Sequence, residues 1–182
     1  MTSTDPERPV ILGVLALAEG SGMVLLQERL AAEIDEVWSA ITDPSRLAAW
    51  YALVEGDLRL GAEFRIFVQA DDWEGSGRVM ACEPPSRLSV TSRESEESWR
   101  RGRGVAPFDE SLEVRLEPDG DGTAITVEVS GLPLGPLAAY GAGWQIHLEN
   151  LAGHLAGRPR PDSEARWAAL VPAYEAQAAG LR

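Results

Sequence analysis

Apolar and polar residues alternate with a period of two through much of the first 130 positions, and the period lengthens to that of a helix in a few tracts. Residues 10–18 and 23–31 are apolar-rich runs separated by Glu19-Gly20-Ser21-Gly22, a spacing that predicts a β-hairpin because glycine supplies the positive φ of a tight reversal. From Ile34 the period changes: Ile34, Val37, Trp38 and Ile41 predict a short amphipathic helix that Thr42-Asp43-Pro44 ends. Asp43 is placed to cap a second short helix, with Pro44 at its first position, running to about Trp50. Strands are then expected at 53–59, 63–70, 75–83, 87–92, 111–117 and 123–130. Phe64, Ile66 and Val68 share one face, as do Leu112, Val114 and Leu116, and Ile125, Val127 and Val129. Pro84-Pro85 and Pro118-Asp119-Gly120-Asp121-Gly122 mark turns, and the charged stretch 93–107 reads as a solvated loop.

A longer helix is predicted from about Pro136 to Ala156, roughly 30 Å at 1.5 Å per residue. On it Trp144, Leu148, Leu151 and Leu155 form one apolar stripe, with His147 beside them and His154 toward its edge. Trp144 is therefore expected to be largely buried. Gly157-Arg158-Pro159-Arg160-Pro161 stops the helix. Asp162 to Leu181 carries Trp167, Leu170, Val171 and Tyr174 at helical spacing, interrupted by Pro172. These residues must cover something, either the rest of the fold or a twofold contact in a homodimer. The whole is read as one domain of 1–182, with a core at 10–157 and a partly helical extension at 158–182. Its class is α+β: a curved antiparallel sheet wrapped around a long C-terminal helix, an arrangement that leaves space for a pocket.

Composition narrows the partners. The 16 basic residues, all arginine, stand against 29 acidic ones, a net charge of −13. A surface of that sign repels phosphate backbones and anionic lipid, so no nucleic-acid partner is expected. No run approaches the ~20 apolar residues of a membrane span, so membrane insertion is not expected. The run Val10 to Ala18 ends in a signal-like Ala-Leu-Ala, but Asp5 and Glu7 precede it where a secretory leader would be basic, and it reads as a buried strand. Cys82 is alone, which fits a reducing compartment and a cytoplasmic protein. Abundant Ala, Gly, Pro and Arg with no lysine fit a GC-rich, bacterial genome.

Groups able to do chemistry are few. His147 is the best acid–base candidate; a half-solvated or hydrogen-bonded helix-flank histidine is the plainer reading. His154 suits the helix's last carbonyls. Seven residues apart, the two histidines stand two turns from each other, and with no cysteine pair nearby neither a metal nor another cofactor is expected. Cys82 reads as a small core hydrophobe. Glu63, Glu74, Glu110 and Glu128 could point inward, although alternation places Glu128 outward. Trp73 and Trp99, in or beside polar turns, could close a cavity mouth or mark an interface.

In order and spacing, several pieces resemble the START-like (SRPBCC) superfamily, and within it the proteins related to the activator of the Hsp90 ATPase (AHSA1-like). They are Glu28-Arg29, Val37-Trp38, Ile41-Thr42-Asp43-Pro44, Trp50, Gly77-Arg78-Val79, Pro84-Pro85-Ser86-Arg87-Leu88, Gly122-Thr123, Gly143-Trp144, and Leu148, Leu151, His154 and Leu155. The resemblance covers about residues 10–157. It implies a helix-grip fold in which a seven-stranded type of sheet holds the terminal helix around a hydrophobic cavity. Its members bind lipids or other apolar small molecules, assist chaperones, or in some branches act as cyclases or hydrolases.

The leading expectation is a binder of an apolar or aromatic small molecule without catalysis of its own. The alternatives are a cyclase or hydrolase using the same cavity, with His147 as acid or base, and a chaperone-associated interaction module. The ligand site is expected at Tyr140, Trp144, His147 and Leu148 from the helix, with Trp50, Phe64, Ile66 and Phe108 opposite. The acidic balance disfavours anionic ligands unless Arg65 or Arg78 turns inward.

Overall fold

The structure, a computed structural model, describes residues 10–68, 73–101 and 105–181. The N-terminal stretch 1–9, the last two residues of the strand expected at 63–70, and Arg103 lie outside them. The strands are β1 (Gly13–Ala18), β2 (Ser21–Leu30), β3 (Leu53–Gly56), β4 (Glu63–Val68), β5 (Trp73–Glu83), β6 (Arg87–Glu94), β7 (Asp109–Asp119) and β8 (Gly122–Leu132). The helices are α1 (Ile34–Thr42), α2 (Pro44–Trp50), α3 (Glu96–Arg100), α4 (Leu137–Leu155) and α5 (Ser163–Ala179). All strands join one 8-stranded antiparallel sheet in the order β1-β2-β8-β7-β6-β5-β4-β3. That is one strand more than the resemblance implies.

Local chemistry explains the turns. Ala18 pairs with Ser21, leaving Glu19 and Gly20 as a two-residue loop with φ of 50° and 83°. Two positive values are what a type I′ turn requires, and its twist matches the flanking strands. Asp43 caps α2, accepting from the Ser45 backbone N–H at 2.8 Å and from the Ser45 hydroxyl at 2.7 Å. Register shifts between Gly22 and Val24 and between Val79 and Ala81 introduce bulges, which bend strands and help the sheet curve.

The concave face carries Val24, Leu26, Val114, Leu116, Ile125, Val127 and Val129, all buried, and α4 lies against it. A second cluster of Ala52, Phe64, Ile66, Val68, Val79, Leu88 and Val90 continues the core beneath α2 and β3. Trp38, Tyr51, Val54, Leu58 and Leu112 touch both clusters.

Three expectations need correction. The strand at 10–18 is an edge strand beginning at Gly13, with Val14 57% and Leu17 51% exposed; no strand pairs with its outer side, where α5 side chains bond it instead. The loop at 93–107 contains α3: Ser95 caps it, and the fully buried Ser98 hydroxyl accepts from the Glu74 N–H and donates to the Glu94 carboxylate. Pro172 does not interrupt the last segment, which runs as one helix through it. Burial of Leu170 and Tyr174 against the rest of the chain outweighs the one backbone bond a proline forgoes. Arg65 and Arg78 do not turn inward: they are exposed and pair with Glu74 and Glu63.

Burial on α4 is broader than a single stripe. Leu148 and Leu151 are buried as expected, but so are Gly141, Ala142, Gln145, Ile146 and Asn150. The sheet covers one face and α5 the other, which also answers what the C-terminal apolar set covers: Leu170 and Tyr174 are fully enclosed within the same chain.

Candidate functional site

Two chambers lie between α4 and the sheet. The inner one, about 90 Å³, is walled by side chains such as Ile41, Leu47, Phe64, Ile66, Val90, Leu112, Val127 and Leu151. In this apolar shell Ser92, Glu110 and His147 are the polar intrusions. The outer chamber, about 340 Å³, has Trp73, Phe108, Pro136, Tyr140, Gly143 and Trp167 among its walls. Tyr51, Glu110, Trp144 and His147 line both, so the chambers adjoin across a waist of three rings and a carboxyl group.

Several elements build this waist. Tyr51 follows α2, where its N–H still bonds to Leu47 and its φ of −123° and ψ of −78° turn the chain out of the helix. Its ring stacks on Trp50 at 5.4 Å and meets His147 edge-on at 4.8 Å. Trp144, one turn before His147 on α4, meets the imidazole edge-on at 5.6 Å. Edge-to-face contacts of this kind hold rings in place without fusing them into a closed stack. Trp50 anchors the corner: its indole N–H donates to the Ala40 carbonyl at 3.0 Å. From the sheet, Glu110 accepts a 3.0 Å hydrogen bond from the Ser92 hydroxyl on the neighbouring strand.

Enclosure sets the electrostatics. Burial lowers the His147 imidazole to about 4, with the positive charge of Arg160 adding to the effect, so the ring is neutral near pH 7. Its Nδ1 is buried without a hydrogen-bond partner among the described residues. Burial pushes the Glu110 carboxyl upward, against the smaller opposing pull of the Ser92 hydrogen bond. Tyr140 is raised to about 12, first by burial and then by the negative charges of Glu110 and Glu94. Each shift favours the uncharged form, as expected where little water reaches.

Sequence comparison identifies the lineage. The family model "Activator of Hsp90 ATPase homolog 1-like protein" matches residues 31–156, 126 of the 182. The chain belongs to this AHSA1-like family. No curated protein matches the sequence. Among solved structures, CalU16 from Micromonospora echinospora superposes with a TM-score of 0.71 at 29% identity, over 92% of this chain and 97% of that one. DynU16, a protein of the dynemicin biosynthetic locus, gives 0.64 at 28% identity, over 78% of this chain and 50% of its own. MLL2253 from Mesorhizobium loti gives 0.64 at 22% identity over 75% and 98%, a likeness of fold. The sheet gripping α4 is the helix-grip architecture of these AHSA1-like neighbours.

Within this AHSA1-like chain the residues expected at the site divide between the chambers. Trp50, Phe64, Ile66 and Leu148 line the inner one, Phe108 and Tyr140 the outer, and Trp144 and His147 both. Phe108 and Tyr140 meet edge-on at 5.9 Å. Trp144 is half-buried, less than expected, because both chambers expose its ring. Tyr51, Ser92 and Trp167 escaped the sequence reading as site residues, and Glu110 appeared there only among several carboxylates able to turn inward. Alternation carried the signal for two of them: Glu110 is in phase with Leu112 and Val114, and Ser92 with Leu88 and Val90. Trp73 does stand at the outer chamber. Among the described residues no three His, Cys, Asp or Glu side chains gather as a metal site, and no helix is long and apolar enough to cross a membrane.

Proposed function

We propose that this AHSA1-like protein binds a small molecule with an apolar, ring-containing body between α4 and the sheet. The observation that carries the reading is an apolar inner chamber and a larger aromatic-walled one that share Tyr51, Glu110, Trp144 and His147 in their walls. Size sets the mode. At about 90 Å³ the inner chamber is smaller than the roughly 150 Å³ cavity known to hold benzene, so it would take at most one ring or a short alkyl group. The rest of the ligand would lie in the outer chamber, whose 340 Å³ falls in the range of small-molecule sites.

Charge points the same way. The chain's net −13 and the absence of an inward arginine at 65 or 78 disfavour an anionic ligand. DynU16 lies in the dynemicin biosynthetic locus, and a biosynthetic setting agrees with a ligand-binding role.

A neutral solvatochromic dye such as Nile red, titrated into the protein, tests the reading. Blue-shifted emission with saturable low-micromolar binding is expected, displaced by bicyclic aromatic compounds and weakened in Trp144→Ala. Emission that stays aqueous, with no displacement, would leave the chambers as packing defects and sink the proposal.

A further inference from the structure

At the waist polar side chains intrude on the apolar inner chamber, and Glu94 and Tyr140 add polar groups to the outer one. Ser92 on β6 donates to Glu110 on β7, and both face the inner chamber. His147 comes from α4 on the opposite wall and lines both chambers, with its buried Nδ1 unpartnered among the described residues. A buried polar atom left unsatisfied costs stability, so a chain that keeps one beside a cavity commonly has something there to satisfy it. Tyr140 stands on the outer side of Glu110, its hydroxyl close enough for the Glu110 and Glu94 charges to act on it.

From this geometry we infer that Glu110, held by Ser92, and His147 form a polar subsite that takes a neutral oxygen, a ketone or hydroxyl, on a ligand whose ring fills the inner chamber. The inference rests on the binding mode proposed above and adds the ligand's functional group and its place in the site. Burial shifts both groups toward their uncharged forms, raising the Glu110 carboxyl and leaving a neutral imidazole that donates from one nitrogen and accepts at the other. Such a pair suits an uncharged acceptor or a hydroxyl. A ligand carboxylate would gain nothing from Arg65 and Arg78, which are turned outward, and would meet the acidic side chain of Glu94 in the outer chamber. The subsite's position between the chambers also sets the connectivity. The oxygen belongs at the junction of the buried ring and the remainder of the molecule, not at its far end.

The test compares three bicyclic probes of similar shape: tetralin, 1-tetralone and 1-naphthoate. Burial alone favours tetralin, the most apolar, so tighter binding of the ketone would need a specific polar contact. With the unmodified protein the ketone is expected to bind about fivefold tighter than the hydrocarbon, the scale of one neutral hydrogen bond, and the carboxylate weakest. Glu110→Gln, which keeps a neutral donor, should preserve that order. Glu110→Leu should abolish the ketone's advantage while leaving tetralin bound. Independently of any variant, the carbonyl stretch of bound 1-tetralone should move to lower wavenumber than in an alkane. If tetralin binds at least as well as the ketone and the carbonyl stretch is unshifted, the subsite is overturned while the binding proposal stands. If none of the three binds, both fall.

Discussion

The phenol of Tyr174 donates a 2.6 Å hydrogen bond to Oε1 of Gln145, and both side chains are fully buried. Around this pair three elements are tied together. Gly13 N–H on β1 donates to the same phenol at 3.0 Å, Leu12 N–H donates to Gln145 Oε1, and Gln145 Nε2 donates to the Val10 carbonyl. Gln177 on α5 brackets β1 again, accepting from Leu15 N–H and donating to the Gly13 carbonyl. Glu149 on α4 holds Arg166 on α5 through two hydrogen bonds of 2.8 and 2.6 Å. The terminal extension is thus bonded to the strand that opens the described chain.

Tyr174→Phe keeps the ring and removes the hydroxyl that serves both Gly13 and Gln145. The Gly13 N–H is then left without its partner inside the fold. A loss of about 1–3 kcal/mol in unfolding free energy is expected, read by denaturant titration. Unchanged stability would mean that the network is replaced by water at no cost.

Gly141 on α4 tests the packing of the same ring. A Cβ there would come within 2.5 Å of the Tyr174 ring, and that ring is enclosed on all sides. Alanine ordinarily stabilises a helix interior relative to glycine. Here Gly141→Ala should instead lower the melting temperature, while Gly153→Ala, which meets nothing within 4 Å, should raise it or leave it unchanged.

Leu151 and Leu148 are 1% and 4% exposed, and both border the inner chamber. Truncation to alanine should cost about 2–5 kcal/mol each, through lost burial and an enlarged void. The enlarged chamber should also accept a bulkier probe, visible as tighter displacement of Nile red by a branched bicyclic compound. Values within half a kcal/mol of the parent, on the order of a surface change, would contradict the packing of α4 on the sheet.

Acid should act on the fold through His147. Its imidazole sits near 4 in the folded chain, against about 6.5 when unfolded. Between those values the unfolded chain takes up a proton that the folded chain refuses, so stability is lost as the pH falls through that window. The full effect is on the order of 3 kcal/mol. Glu110 works in the opposite direction, because its raised folded value makes its burial less costly as acid is added. Tyr140 and Glu94 near Glu110 and Arg160 near His147 are unchanged in His147→Phe, which removes the histidine contribution alone. That variant should lose less stability than the parent between pH 7 and pH 4.5, by about 2 kcal/mol. Parallel curves would show that the folded imidazole protonates freely.

Much of this was legible along the chain, for physical reasons that differ by element. Phe64, Ile66 and Val68 announced their face because a strand's side chains alternate strictly, and Asp43-Pro44 announced a helix start because both the cap and the proline are local devices. What stayed hidden depends on distant partners. Nothing beside Gln145 in sequence says that an amide there will bond to Val10 and Leu12, 135 and 133 positions earlier, and to a helix later in the chain. A helix buried on two sides shows no single stripe, so α4 was read by only one of its faces. Ser92 and Glu110 carried the correct phase, but a polar residue on an inward phase looks the same as one in a solvated loop until its surroundings are known. Tyr51 is placed by the turn out of α2, and a turn has no periodicity to read.

Trp167 is 40% exposed, yet it also forms part of the outer chamber's wall, and it rides on the helix that clasps β1. The matched family region ends at residue 156, before that helix begins. One segment therefore serves two masters: it closes the side of the cavity and it fastens the sheet's outermost strand. Any molecule that rests against the Trp167 indole would favour the docked helix over the undocked one, and by reciprocity a well-docked helix would favour the molecule. Occupancy would then be readable far from the chambers, as slower hydrogen exchange at the amides of Gly13 and Leu15.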